Sequence, residues 1–175
     1  MIMTTRFRLY KALGYITSAP RGVEFSLRQP QPRNLLFMFP LQKEHIEASR
    51  FLFKKLMQHV KRDLIRVAVA DTFRDDLSGP REVVFYYPLL QQSPPVFDLD
   101  VMLARFRRET FEAVVNLEPE LNVQLARVIS VIETPRRIGF AGPFADILYN
   151  IQIHPRSNGR LRKSYAQMLK LCDLG

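Results

Sequence analysis

The chain has 175 residues, 47% of them hydrophobic, and a formal charge of +9; that is enough for one globular core and too short for two ordinary domains. No apolar run approaches the roughly 20 residues of a membrane-spanning helix, and Met1-Ile2-Met3-Thr4-Thr5-Arg6 lacks the apolar core and cleavage site of a secretory leader. A cytoplasmic protein is expected, and the single Cys172, in an apolar helical stretch, reads as a small buried hydrophobe without a disulfide partner.

The excess charge lies at the two ends. Residues 1–33 carry Arg6, Arg8, Lys11, Arg21, Arg28 and Arg33 against Glu24 alone, residues 154–175 carry Arg156, Arg160, Arg162, Lys163 and Lys170 against Asp173, and the residues between them cancel. Such ends favour an anionic partner: a phosphorylated glycolipid, the inner face of an acidic membrane, or nucleic acid. Nucleic acid is the least favoured, because no aromatic residues interleave the Arg160 to Lys163 cluster. Solvated basic ends are the plainer alternative.

In chain order, residues 5–17 predict a short amphipathic helix with Leu9, Tyr10, Leu13 and Ile16 on one face and Arg8 and Lys11 opposite. A helix of this kind docks on its own domain or a partner subunit, or lies on an anionic membrane; the docking candidates are Arg6, Arg8, Lys11, Leu9, Leu13 and Ile16. Pro20, Gly22, Pro30 and Pro32 mark a connecting arm, so residues 1–33 form a basic helix and arm and residues 34–175 the main domain. Asn34 to Phe39 predicts a strand buried on both faces. Lys43 to Val60 predicts an amphipathic helix, Leu64 to Ala70 a second strand closed by Asp71, and Glu82 to Tyr87 a third. Gln91 to Pro95 reads as a loop, with Asp98 as N-cap of a helix through Val101, Met102, Leu103 and Phe106. Ala113 to Leu117 is the fourth strand, Leu121 to Ile132 a helix, and Arg137 to Phe140 the fifth strand. Strand, carboxylate-rich loop, helix and strand over residues 112–140 form a right-handed crossover. The alternation predicts a doubly wound α/β fold, a mostly parallel Rossmann-like sheet with helices on both faces.

Several chemistries are excluded. The seven glycines never form a dinucleotide fingerprint or a Walker loop, so no cofactor is expected. His45, His59 and His154 lack the spacing and cysteine neighbours of a zinc site, and no metal is expected. No Gly-x-Ser-x-Gly elbow occurs. Ligands of an open parallel sheet bind beyond the carboxyl ends of the strands, which directs attention to Glu44 and His45 after the first strand, Asp71 after the second, and Asn116, Glu118 and Glu120 after the fourth. Arg136 and Arg137, preceding the fifth strand, are candidates for holding an anion, or ordinary strand-end arginines.

Leu35-Leu36-Phe37-Met38, Glu112 to Leu121, Arg136 to Phe140, Phe144 to Asn150 and Tyr165 to Gly175 follow one another in the order and spacing of a known pattern. The third is similar to an "Arg-x-Gly-Phe" strand and the fourth to a "Leu-x-x-Leu-Tyr-Asn" stretch. Together they resemble the acceptor-side, N-terminal half of the family-9 glycosyltransferases, the lipopolysaccharide heptosyltransferase group, over roughly residues 33–175. The resemblance implies half of a two-lobed GT-B architecture, a role in cell-envelope glycan assembly, and a glycolipid acceptor or a donor-domain subunit as partner. It places His45 or Glu44 where the family carries the aspartate that deprotonates the acceptor, although the family's "Gly-Asp" pair is absent. In this reading Arg136, Arg137, Glu118, Glu120 and Asn116 contact the acceptor. Without the lobe that grips the activated sugar, the isolated chain should not turn over. The competing expectation is a non-enzymatic interaction protein that docks through its basic helix.

Overall fold

Strand β1 (Asn34–Met38) lies inside a parallel sheet of six strands in order β3-β2-β1-β6-β7-β8. The structure is a computed structural model and describes residues 2–21, 34–60, 64–90, 96–154 and 161–174. Strands β2 (Leu64–Ala70) and β3 (Val84–Tyr87) flank β1 on one side, and β6 (Ala113–Asn116), β7 (Arg136–Phe140) and β8 (Ile151–Ile153) on the other. Two short strands, β4 (Leu89–Leu90) and β5 (Val96–Phe97), pair antiparallel outside this sheet.

The alternation of side chains along β1 divides the core in two. Leu35, Phe37 and Phe39 pack with helices α2 (Lys43–His59) and α6 (Leu161–Leu171), through Ile46, Leu52, Leu56, Tyr165 and Met168. Leu36 and Met38 face the other layer, built from α3 (Leu99–Phe106), α4 (Val123–Val131) and α5 (Ala145–Leu148). A strand covered on both faces must be apolar throughout, which is why Leu35 to Phe39 shows no polar alternation. The expected doubly wound α/β class is what the chain adopts.

Capping sets two helix starts. The Asp98 carboxylate accepts from the amides of Asp100 and Val101, as expected. Asn122 does the same for Gln124 and Leu125, so α4 begins at Val123 rather than Leu121. Strand β8 has no counterpart among the strands the sequence pattern predicts. Three residues at a sheet edge are too few to establish a period, and only pairing with β7 defines them.

The N-terminal helix α1 (Ile2–Ala12) is shorter than the expected 5–17. Gly14, at φ 77°, turns the chain in a conformation that suits glycine, so Ile16 enters the core independently of the helical face. The main anchor is Phe7, concealed in the sequence between Arg6 and Arg8; it is fully buried and stacks on Phe144 with ring centroids 4.5 Å apart. The amide of Ala19 donates to the carbonyl of Ile147 at 2.7 Å, so residues up to this point pack on the α/β body. The rest of the expected arm with Arg28 and Arg33, the loop at 91–95, and Arg156 and Arg160 fall outside the described residues.

Candidate functional site

The strand order reverses beside β1: the chain runs outward to β2 and β3, then returns on the other side of β1 as β6. The crevice at the carboxyl ends of β1 and β6 is therefore the switch point of the sheet, where two loops diverge and leave room for a ligand. Phe39-Pro40-Leu41-Gln42 leaves β1 there, and Leu117-Glu118-Pro119-Glu120 leaves β6.

Glu118 lies at the centre of this crevice and is only 4% exposed. One carboxylate oxygen, Oε2, accepts from the amide of Leu41 at 2.9 Å, and Oε1 accepts from the amide of Glu120 at 3.4 Å. His45, in the first turn of α2, brings Nδ1 to 3.3 Å from Oε1, a close contact outside good hydrogen-bond geometry. The amide of Glu118 donates to Asn116 Oδ1 at 3.1 Å, and Asn116 Nδ2 donates to the Tyr149 hydroxyl at 2.6 Å. Gln42 Nε2 donates to Glu120 Oε2 at 2.9 Å. The structure thus brings His45, Asn116, Glu118 and Glu120 together. Glu44 points to solvent on the neighbouring face of α2, lining a groove of about 1190 Å³ with Glu47, Arg50 and Arg162.

Burial dominates the electrostatics. It raises the Glu118 pKa above the ordinary value of 4.5, against the opposing effects of the Leu41 and Glu120 amides and of His45. The buried hydroxyls of Tyr87 and Tyr165 are pushed upward by burial and then by the charge of Glu118, and that of Tyr149 is pushed up to about 12 with burial as its largest cause. All three stay neutral around the carboxylate. Because the folded chain holds the Glu118 proton more tightly than the unfolded chain, the associated stability is fully present below pH 4.5 and is lost as pH rises through the elevated folded value. The stability of the parent minus that of Glu118→Gln should therefore fall with increasing pH above 4.5 in paired denaturant titrations. A difference that rises or stays flat contradicts the assignment.

Two of the sequence motifs prove to be a packing device for this crevice. A Cβ on Gly139 would meet the Tyr149 ring at 2.4 Å, so the strand must present glycine for the ring to lie across it and its hydroxyl to reach Asn116. The next residue, Asn150, accepts from the Arg137 amide at 2.8 Å and donates to the Pro135 carbonyl at 2.7 Å, fixing the entry to β8. Spacing alone gave no sign that Gly139 and Tyr149 touch.

Arg136 and Arg137, expected near an anionic acceptor, are at the opposite end of the sheet. They begin β7, and in a parallel sheet the residues that begin a strand lie at the amino edge. Arg136 reaches Glu112 ahead of β6, with Nε 3.3 Å from the backbone carbonyl and a terminal nitrogen 3.5 Å from the carboxylate. Arg137 is buried and donates to the carbonyls of Ser130 at 3.0 Å, Ile132 at 3.5 Å and Thr17 at 3.3 Å. Burial lowers its pKa, yet an arginine keeps its charge. It closes the carboxyl end of α4 and holds the N-terminal segment against it.

No group of three or more His, Cys, Asp or Glu side chains suited to a metal ion occurs among the described residues, and no helix among them is long and apolar enough to cross a membrane. The fold and the switch-point crevice define the chain as a Rossmann-like α/β domain built on an all-parallel six-stranded sheet. No protein-family model matches the chain, and no curated protein matches it. Among solved structures it is similar to the glycosyl transferase family 9 from Veillonella parvula DSM 2008, with a TM-score of 0.61 and 10% sequence identity over 82% of this chain. The match covers 42% of that protein's chain, and at this identity the likeness is one of fold.

Proposed function

We propose that this chain is a divergent acceptor-side domain of the family-9 glycosyltransferase type, working in lipopolysaccharide or related cell-envelope glycan assembly, and that it binds a saccharide without transferring sugar by itself. The observation that carries this reading is the Glu118–His45 contact at the switch point of a sheet whose fold is shared with a family-9 structure. In a transfer reaction His45 would receive the proton of the acceptor hydroxyl, with Glu118 facing its other ring nitrogen. His45 is favoured over Glu44 because it is the one in contact with the buried carboxylate.

The shape and charge of the crevice support binding without turnover. The cavity between Glu118, Glu120, Gly142 and Tyr149 is about 30 Å³, room for about one water molecule, so a sugar would lie across the edge with one side open. The carboxylates of Glu118, Glu120 and Asp71 have the wrong sign to hold a nucleotide diphosphate, whose leaving charge needs positive or hydrogen-bond-donating groups. A second lobe would have to supply them.

The test incubates the purified 175-residue chain with nucleotide sugars and lipopolysaccharide core oligosaccharides. The expected result is no transfer product, together with saccharide-induced amide shifts at Gln42, His45 and Glu120. Turnover by this chain alone, or shifts that bypass all three positions, would refute the proposal.

A further inference from the structure

We infer that α1 and the turn after it form a docking surface for an anionic phospholipid membrane. This inference does not depend on the glycosyltransferase reading. Six large hydrophobic side chains are exposed among the described residues, and three of them follow one another on α1 and its turn, Leu9 at 54%, Leu13 at 58% and Tyr15 at 51%; a fourth, Val131 at 37%, ends α4 next to Ser130, whose hydroxyl donates to the Tyr15 carbonyl at 3.5 Å. Leu13 donates its amide to the carbonyl of Leu9 at 2.9 Å, which continues the helical turn and stacks the two leucines on one face. Phe7 takes the opposite side, inside the protein, and Tyr10 is partly covered against the same core. Single exposed apolar residues are ordinary, but a contiguous group marks an interaction site.

The charge around this group selects the occupant. Residues 2–21 contain Arg6, Arg8, Lys11 and Arg21 and no acidic residue, and all four cations are exposed. Arg127 of α4 adds a fifth, its guanidinium 4.9 Å from the ring centre of Tyr10 and 5.1 Å from that of Tyr15. Protruding leucines and a tyrosine on a segment that is basic and free of carboxylates match the boundary between anionic headgroups and acyl chains: the leucines enter the apolar layer while the long basic side chains of the same segment reach the phosphates. The Phe7–Phe144 stack and the Ala19–Ile147 hydrogen bond already hold the segment in place, so binding does not have to pay for ordering it.

The test is cosedimentation of the full chain with phosphatidylcholine vesicles, with and without phosphatidylglycerol. Binding is expected only to the anionic vesicles and should weaken as salt screens the charges. Leu9→Ser combined with Leu13→Ser is expected to weaken binding about tenfold or more, and Arg6→Gln or Lys11→Gln roughly fivefold each. Leu64→Ser, at a leucine 48% exposed on the far strand β2, should change nothing. These side chains face solvent, so circular dichroism of each variant should match the parent. The chain contains no tryptophan, and Leu13→Trp supplies a single fluorophore whose emission should shift to the blue on anionic vesicles. A chain that stays in the supernatant with phosphatidylglycerol at low salt overturns the inference. So do leucine variants that sediment like the parent, and so does retention only by an acidic protein surface.

Discussion

Gly139→Ala should destabilise the fold by about 3 kcal/mol, because the added methyl group has no space it can occupy without moving a buried ring. The three atoms nearest its Cβ all belong to the Tyr149 ring, at 2.4 to 2.6 Å, and real Cβ contacts do not come that close. The ring cannot swing aside freely, since its hydroxyl accepts the hydrogen bond from Asn116 and its other side is packed in the α3–α4–α5 layer. For a chain of this length the loss corresponds to a melting temperature lower by roughly 6–12 °C. Gly142→Ala is the control: nothing lies within 4 Å of its Cβ, and its melting curve should overlay the parent's. Combining Gly139→Ala with Tyr149→Leu should cost less than the sum of the two single changes, because both act on the same contact. An unaltered melting temperature for Gly139→Ala would show that Tyr149 does not lie across β7.

Arg137→Met should cost a similar amount, about 3 kcal/mol, for a different reason. Methionine keeps much of the buried stem but removes the donors that serve the buried carbonyl of Ile132 and the part-buried one of Thr17, and an acceptor left without a partner in the interior costs about 1–3 kcal/mol. Ser130 loses less, because the Thr17 hydroxyl also donates to its carbonyl. Arg137→Lys should recover part of the loss, since an ammonium group cannot span the three acceptors that the guanidinium fork reaches. Hydrogen exchange distinguishes this clamp from a general loss of stability: amides near Thr17 and at the end of α4 should exchange faster than those of α2. Uniform acceleration across the chain would argue against a local role. A saccharide that still shifts Gln42 and His45 in Arg137→Met would further separate this residue from the crevice.

The two arginines show how a residue pattern can be read correctly and still be assigned the wrong place. The pattern around Arg136 and Arg137 marks the start of a strand, and two cations there suit an anionic acceptor. With β1, β6 and β7 all running in the same direction, the residues that begin β7 cannot reach the edge where Glu118 sits. Glu118 is the opposite case. Its position after a strand was evident, but its burial depends on the Leu41 amide, 77 positions away in the chain, and no local pattern encodes that approach. Phe7 is not legible as a core residue because its flanking arginines place it in a polar stretch, and one aromatic residue does not make a period.

What the chain's own residue order determined is the set of elements and their alternation. Apolar runs bounded by proline, helical spacing from Ile46 to Val60, and the cap at Asp98 act over a few residues, and their physics is local. Tertiary structure alone decided which loops meet at the crevice, that His45 rather than Glu44 faces the buried carboxylate, and that Leu9 and Leu13 remain outside while Phe7 is covered. Those outcomes follow from the pairing of strands far apart in the chain and from competition for a limited interior, and both are settled only when the layers close on one another.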